Sequence, residues 1–413
     1  MIEKTDIRHA LGKQSFFLSR VIHSVGNSAT FMLAAVAVIA LTMNVVLPES
    51  MSKARLAPIL IGLIVLHLMR FAKLYVNREM ALYGVFFVYM LIQLFWTDEL
   101  ALARNTLVPA FNFLLIMVLF GSLLTYHDRK MVLLGMVAGF LIGALAYTVL
   151  TGFPFRYPAD FSYNAVAVMY LFGLFITLLL GCYKIPKVVM LILGIVLLAQ
   201  IVATTSIKTN LGILLGGLVG SIVYFRPVTH LIRQYIFAMS ALLLLVAYLV
   251  FSNQVLKQSI DRGFGRISLG VEILRNRESI SGQSSFDNRA EWMRVGLQGW
   301  AENPVFGHGI ESFRAKFDIT SHSTPIDLLY NSGLTGLFLF YAVLLSVVLR
   351  LRRNTSPTGR NLKLLVLSCL TCFLFTTLSG VMHYNLFLAA FLAISITLLN
   401  SGRDSKEVLG VSQ

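Results

Sequence analysis

Apolar runs long enough to cross a bilayer recur from one end of this chain to the other, and no water-soluble core could absorb so many of them. They lie near 28–47, 57–76, 80–96, 107–126, 131–151, 163–183, 188–206, 209–225, 234–252, 326–349, 362–381 and 384–400. That predicts about twelve helices of roughly 17–24 residues each, the length a bilayer requires. Composition agrees, with 57% hydrophobic and 13% charged residues and a mean hydropathy of +0.78. Soluble domains carry about a quarter charged residues. The expected fold is all-α, a polytopic membrane protein in which residues 1–413 form a single integral domain. Its one long stretch outside the apolar runs is 253–325, expected to be a large loop containing short helices.

The chain is basic, with 34 Lys and Arg against 19 Asp and Glu. In a soluble protein that excess would point to nucleic acid. Here the placement of the charges matters more, and no nucleic-acid partner is expected. Counted on alternate sides of the runs, twenty fall on one side, from Lys4 and Arg8 through Arg70, Arg129, Lys187 and Arg350 to Lys406. The short loops of the other side hold five, namely Lys53, Arg55, Arg104, Arg156 and Lys208. Basic loops stay in the cytoplasm, so both termini are expected there and 253–325 is expected outside, periplasmic if the cell is Gram-negative. The first thirty residues are basic and mixed and lead into an apolar run without a small-residue cleavage site, which reads as an anchor. Cys369 and Cys372 form a C-x-x-C, but on a predicted membrane helix with no βαβ setting, and like Cys182 they read as packing residues.

The polar island carries the readable chemistry. In "DNRAEWMRVGLQGWAENP", Asn288 is a candidate helix N-cap with Glu291 three residues on, and Pro304 ends the helix. Arg289, Trp292, Met293, Gly296 and Trp300 fall on one face, an aromatic stripe beside Arg289 and Arg294 that suits a helix lying at the membrane surface. Arg289 in the first turn would meet exposed N–H groups that already favour an anion, while the plainer alternative is arginines meeting lipid headgroups. His322 precedes the tenth run, where an imidazole can act as a general base near neutral pH. His308, between two glycines, reads as a turn residue and His383 as a packing residue. Lys208, in the short hairpin "TTSIKTN", is a costly cation unless it faces water or an anion, or merely snorkels to the interface. No spacing of the acidic residues demands a metal.

"RAEWMRVGLQGWAENPVFGHGIESF" followed by "HSTPIDLLYNSGLTG" resembles the signature of the O-antigen ligase and polymerase superfamily. That pattern is an Arg, a Trp a few residues on, an ENP-Gly segment, and a His opening a helix that carries two further glycines. The close match covers 289–336. "TTSIKTN" resembles the family's outward segment at a helix start, with Lys208 where an Arg is usual, and "FRYPADFSYN" is a weaker echo ending in Asn164 and containing Arg156. Ser323 stands where the family often has Asn.

The resemblance implies a glycosyltransferase of the bacterial inner membrane that needs no metal or cofactor and works on the periplasmic face. The donor would be a glycan on undecaprenyl pyrophosphate and the acceptor a sugar hydroxyl of lipid A-core. His322 maps onto the base, Arg289 onto a catalytic pyrophosphate-binding position and Lys208 onto a second cation; Arg294, Asn164 and Arg156 are further substrate-binding candidates. Membrane lipids are the surrounding partner. A polymerase joining lipid-linked repeats would use the same parts, and a close relative would glycosylate protein. The single dominant outward loop favours the ligase. A transporter would be expected to show broken helices or charges deep in mid-span, and no such pattern is legible in the sequence.

Overall fold

The computed structural model describes residues 26–45, 49–97, 99–156, 163–181, 183, 186–204, 206–224, 285–353, 360–378 and 380–401. The expected run at 234–252 and most of the 253–325 loop lie outside them. Among the described residues the chain is helical, with no strand. In order these are α1 (Gly26–Val45), α2 (Glu49–Phe71), α3 (Arg78–Ile92), α4 (Leu100–Tyr126), α5 (Arg129–Thr151), α6 (Tyr163–Leu180), α7 (Lys187–Ala203) and α8 (Ile207–Tyr224). After the outlying segment come α9 (Ser285–Glu302), α10 (Ser312–Phe317), α11 (Thr324–Arg353), α12 (Arg360–Thr377) and α13 (Leu386–Ser401).

Five helices among the described residues are long and apolar enough to cross a membrane: Gly26–Val45, Arg78–Phe95, Leu100–Tyr126, Arg129–Thr151 and Thr324–Arg352. Shorter apolar helices account for the other described runs. The run at 57–76 ends early, at Phe71, for a local reason. Ala72 takes a left-handed φ of 51°, the His67 ring nitrogen Nε2 donates to the Lys73 carbonyl at 3.1 Å, and Asn77 caps the next helix at Met80 N, 2.8 Å. The chain is therefore turned before α3 begins.

Helix α13 is the centre of the bundle, with every residue from Leu386 to Leu399 buried. It packs on α4, α6 and α11, with Phe391 against Phe175 and Phe373 at ring separations of 4.9 Å. Small residues let other helices meet backbone to backbone, as expected where lipid offers no hydrophobic drive for association. A side chain at Gly216 of α8 would strike the Ser368 carbonyl of α12, and one at Gly212 would lie 2.8 Å from Cys372 Sγ. Both Cys369 and Cys372 are buried free thiols in this packing. At the end of the bundle that carries Asn77, Arg350 holds the buried Glu79 carboxylate through three hydrogen bonds of 2.7–2.8 Å.

One feature departs from the sequence reading. α11 is two helices joined end to end, broken at Gly333 (φ 62°, ψ −166°), a conformation open to essentially no residue but glycine. "LLYNSGLTGLF" gives no sign of this, because a glycine inside an apolar run is compatible with an uninterrupted helix.

Candidate functional site

The break in α11 leaves backbone groups that must be satisfied within the protein, since lipid cannot do so. The segment 303–313 does it. Leu334 N–H donates to the Pro304 carbonyl at 2.9 Å and Thr335 N–H to the Val305 carbonyl at 3.1 Å. On the other side of the break, the Tyr330 carbonyl accepts from His308 N–H at 3.0 Å and the Asn331 carbonyl from Gly309 N–H at 2.8 Å. The Asn331 side chain accepts from Phe313 N–H at 2.9 Å. Tyr89 of α3 donates its hydroxyl to the carbonyls of both Ser332 (2.9 Å) and Phe306 (3.1 Å). Gly307 has φ 71°, and a Cβ there would sit 2.5 Å from the Asn331 backbone. The ENP-Gly punctuation thus fits a loop into a broken helix.

His308 belongs to this plug. Its Nε2 donates to the Gly299 carbonyl at 2.7 Å, its Nδ1 accepts from the Asn303 amide at 3.2 Å, and its ring stacks on Tyr330 at 4.6 Å. The sequence reads His308 as a turn residue; these partners make its ring a packed part of the plug. His383 is also packed, its ring edge-on to Phe86 and Phe340 at 6.2 Å.

His322 lies in the short α10–α11 link, two residues before α11 begins, in a segment built differently. It has a left-handed φ of 55°, uncommon for a residue with a side chain. Ser321, Ser323 and Thr324 around it are buried (1%, 3% and 0% exposed), while His322 is partly exposed. The turn therefore faces its neighbours inward and leaves His322 the partly exposed residue among them. Ser321 Oγ lies 3.0 Å from the Ser323 carbonyl and 3.1 Å from Asp327 Oδ1. Thr324 N–H and Oγ donate to the Gly380 carbonyl at 3.2 and 2.6 Å, tying the start of α11 to the loop between α12 and α13.

That loop brings in Lys208. A Cβ on Gly380 would lie 3.4 Å from Lys208 Nζ, so the ammonium rests against the same glycine whose carbonyl holds Thr324. Lys208 is in the first turn of α8. Its neighbour Ser206 donates to Asn164 Oδ1 at 3.0 Å and lies 3.1 Å from Thr209 Oγ1, linking the first turns of α6 and α8. Asn164, Lys208 and His322 thus gather at one end of the bundle through side chains far apart in sequence.

The other expected site residues are placed as follows. Gly296 lies against Ile326 and Gly299 against Tyr330, so α9 and α11 run in the same direction where they touch. The backbone of Arg289, about 10 Å before Gly296 along the helix, comes at the end of α9 nearest the His322 segment; its side chain lies outside the described residues. Arg294 is exposed and forked onto Glu291, with bonds of 2.9 and 2.6 Å, which holds that carboxyl below its usual range. Arg156 is exposed in the turn after α5. α9 starts at Ser285, three residues before the expected cap, so Asn288 is inside the helix and Glu291 serves Arg294 instead. Its Trp292 and Gly296 face packs on Phe313, Phe317 and Ile326, and it is Met293 and Leu297 that remain exposed.

Sequence reasoning missed Asp327, Glu311 and Thr106, which with His383, Asn331 and Ser332 line a polar cavity of about 10 Å³ beneath the His322 turn, the size of a single water. The Thr106 hydroxyl donates to the Glu311 carboxylate, and Asp327 Oδ2 lies 3.9 Å from His383 Nε2. The residues span most of the chain, and only an acidic residue inside an apolar run, Asp327, was a legible signal. A scan against protein-family models finds no match, and a search of curated proteins finds no similar sequence.

Proposed function

We propose that this chain is a membrane glycosyltransferase that moves a glycan from a polyprenyl pyrophosphate carrier to a sugar hydroxyl, in the manner of an O-antigen ligase acting on lipid A-core. The observation that carries the reading is the meeting of Lys208 with the His322 turn across Gly380. A partly exposed histidine on a turn tied to the glycine against which a cation rests suits such a transfer. The acceptor hydroxyl gives its proton to neutral His322 as its oxygen attacks the anomeric carbon, and the bond from that carbon to the pyrophosphate breaks with inversion. The departing pyrophosphate gathers negative charge, which Lys208 and Arg289 would stabilise in a site with little water. The first turns of α6 and α8 add N–H groups pointing the same way. Grooves between the helices would hold the polyprenyl tail.

The polymerase reading uses the same chemistry, with a second lipid-linked glycan as acceptor. A transporter finds less support. The break in α11 is of the kind that transporters use, but it is filled by residues 303–313 of the same chain rather than left open to a cargo.

The site would face the periplasm from the inner membrane, with both termini in the cytoplasm, as the twenty-to-five division of Lys and Arg requires. Cysteine labelling of intact cells should reach an engineered thiol at Ser284 and fail at Thr355. Labelling of Thr355 with the membrane intact would reverse the orientation.

Lys208→Ala should lower transfer by about 100-fold, the usual cost of losing one donor to a developing anion. Lys208→Arg should keep much of the activity, reduced because a planar fork replaces a point charge. Turnover by purified protein at matched folded amounts checks this, and normal turnover of Lys208→Ala would remove Lys208 from the donor site.

A further inference from the structure

Asp327 sits in the first turn of α11, with its side chain only 13% exposed. An acidic residue at the edge of a membrane-spanning helix is costly and calls for a use. Its Oδ1 lies 3.1 Å from the Ser321 hydroxyl, and its own N–H donates to the Ser323 carbonyl at 2.8 Å. The two bonds bracket His322. The Ser321 hydroxyl, at 1% exposure, also lies 3.0 Å from the Ser323 carbonyl and 3.4 Å from Ser323 N–H. His322 is the one residue of this closed turn with a positive φ, and the strain of a side chain in that conformation persists only where its surroundings over-determine it. The Ser321–Asp327 contact supplies that constraint from the rigid helix.

We propose that Asp327 is the positioning residue of His322, acting through Ser321 to hold the left-handed turn that presents the imidazole. The proposal rests on His322 being the base of the transfer reaction. The requirement is for an acceptor oxygen at Oδ1, not for a negative charge. Glu311, His383, Tyr384, Arg314 and Lys208 are other titratable groups in this neighbourhood, while Ser321 bonds to Asp327. A carboxylate that served only to stabilise the helix start would change folding without changing the chemical step. One that positions the base changes kcat, because misplacing a reacting group by about 1 Å costs on the order of 100-fold.

The test compares Asp327→Asn, Asp327→Ala, Ser321→Ala and the Ser321→Ala/Asp327→Ala pair in the purified full chain. Transfer kinetics are measured at matched folded protein, together with hydrogen exchange of the 321–327 amides. Asp327→Asn keeps the acceptor oxygen and should retain kcat within about threefold. Asp327→Ala and Ser321→Ala should each lower kcat by about 10- to 100-fold, leave the donor KM unchanged and speed exchange across the turn. The double variant should be no worse than the weaker single one, because both remove the same bond. A kcat for Ser321→Ala or Asp327→Ala equal to that of the parent, Asp327→Asn as inactive as Asp327→Ala, or additive losses in the pair would each overturn the proposal. Faster exchange in the alanine variants beside a parent that transfers no glycan would instead show that the turn is held as described and that the reading of the reaction is at fault.

Discussion

Replacement of His322 by alanine is expected to abolish detectable glycan transfer while leaving donor binding largely intact. A hydroxyl must lose its proton as it attacks, and losing a general base costs about 100- to 10,000-fold. His322 is partly exposed between the buried Ser321, Ser323 and Thr324. On the proposed reading, Lys208 and Arg289 would still supply the charge for the pyrophosphate. Arg289→Ala should differ by weakening donor binding as well, because a cation attracts the pyrophosphate before and during the transfer. His308→Ala is the informative comparison. That ring ties Gly299 and Asn303 to the plug, so the variant should lose thermal stability yet turn over once corrected for folded protein. Transfer and donor binding measured separately on purified protein check all three, and near-normal turnover by His322→Ala would force a different mechanism.

The second large effect concerns the fold that carries the site. Gly333→Val should prevent accumulation of folded protein, and Gly333→Ala should lower its stability severely. Gly333 has a backbone conformation reserved for glycine, and a Cβ there would collide with the Val305 carbonyl and lie 2.7 Å from Phe306 N. Backbone strain of about 1–3 kcal/mol and overpacking of about 1–3 kcal/mol act together here. Against a total stability of about 5–15 kcal/mol that is a large share. Gly217 of α8 is the control, since nothing lies within 4 Å of its position and it is an ordinary exposed helical residue. Gly217→Ala should be neutral or stabilising by up to about 1 kcal/mol. Thermal unfolding of the detergent-solubilised variants, with the yield of monodisperse protein, separates the two. A Gly333→Ala protein as stable as its parent would mean that the broken helix is not the native form.

The helices were legible because a bilayer permits so few alternatives: a run of apolar residues of the right length must be a helix, and charges must fall at its ends. The packing between them was less so. Gly212 and Gly216 look like any glycines in an apolar run until Ser368 and Cys372 are seen against them. Gly333 was opaque for a related reason, since the groups that make a break tolerable belong to Pro304 and Val305, some thirty residues earlier. The site was partly legible. His322 and Lys208 could be singled out by residue type and by the setting of each, but the link between Lys208 and the His322 turn runs through Gly380, which carries no chemical signal of its own. Asp327 could have been noticed as an acid inside an apolar run. Its tie to Ser321 follows from the helix starting at Thr324, which leaves the serine one turn back and facing it.

The most direct measurement is the lipopolysaccharide pattern of a strain that lacks this chain, read together with the glycans left on the lipid carrier. A ligase predicts bare lipid A-core and full-length glycan stranded on undecaprenyl pyrophosphate, both restored by the parent chain and by neither His322→Ala nor Lys208→Ala. Core bearing a single repeat would identify a polymerase, and unchanged core and carrier glycans would contradict the account.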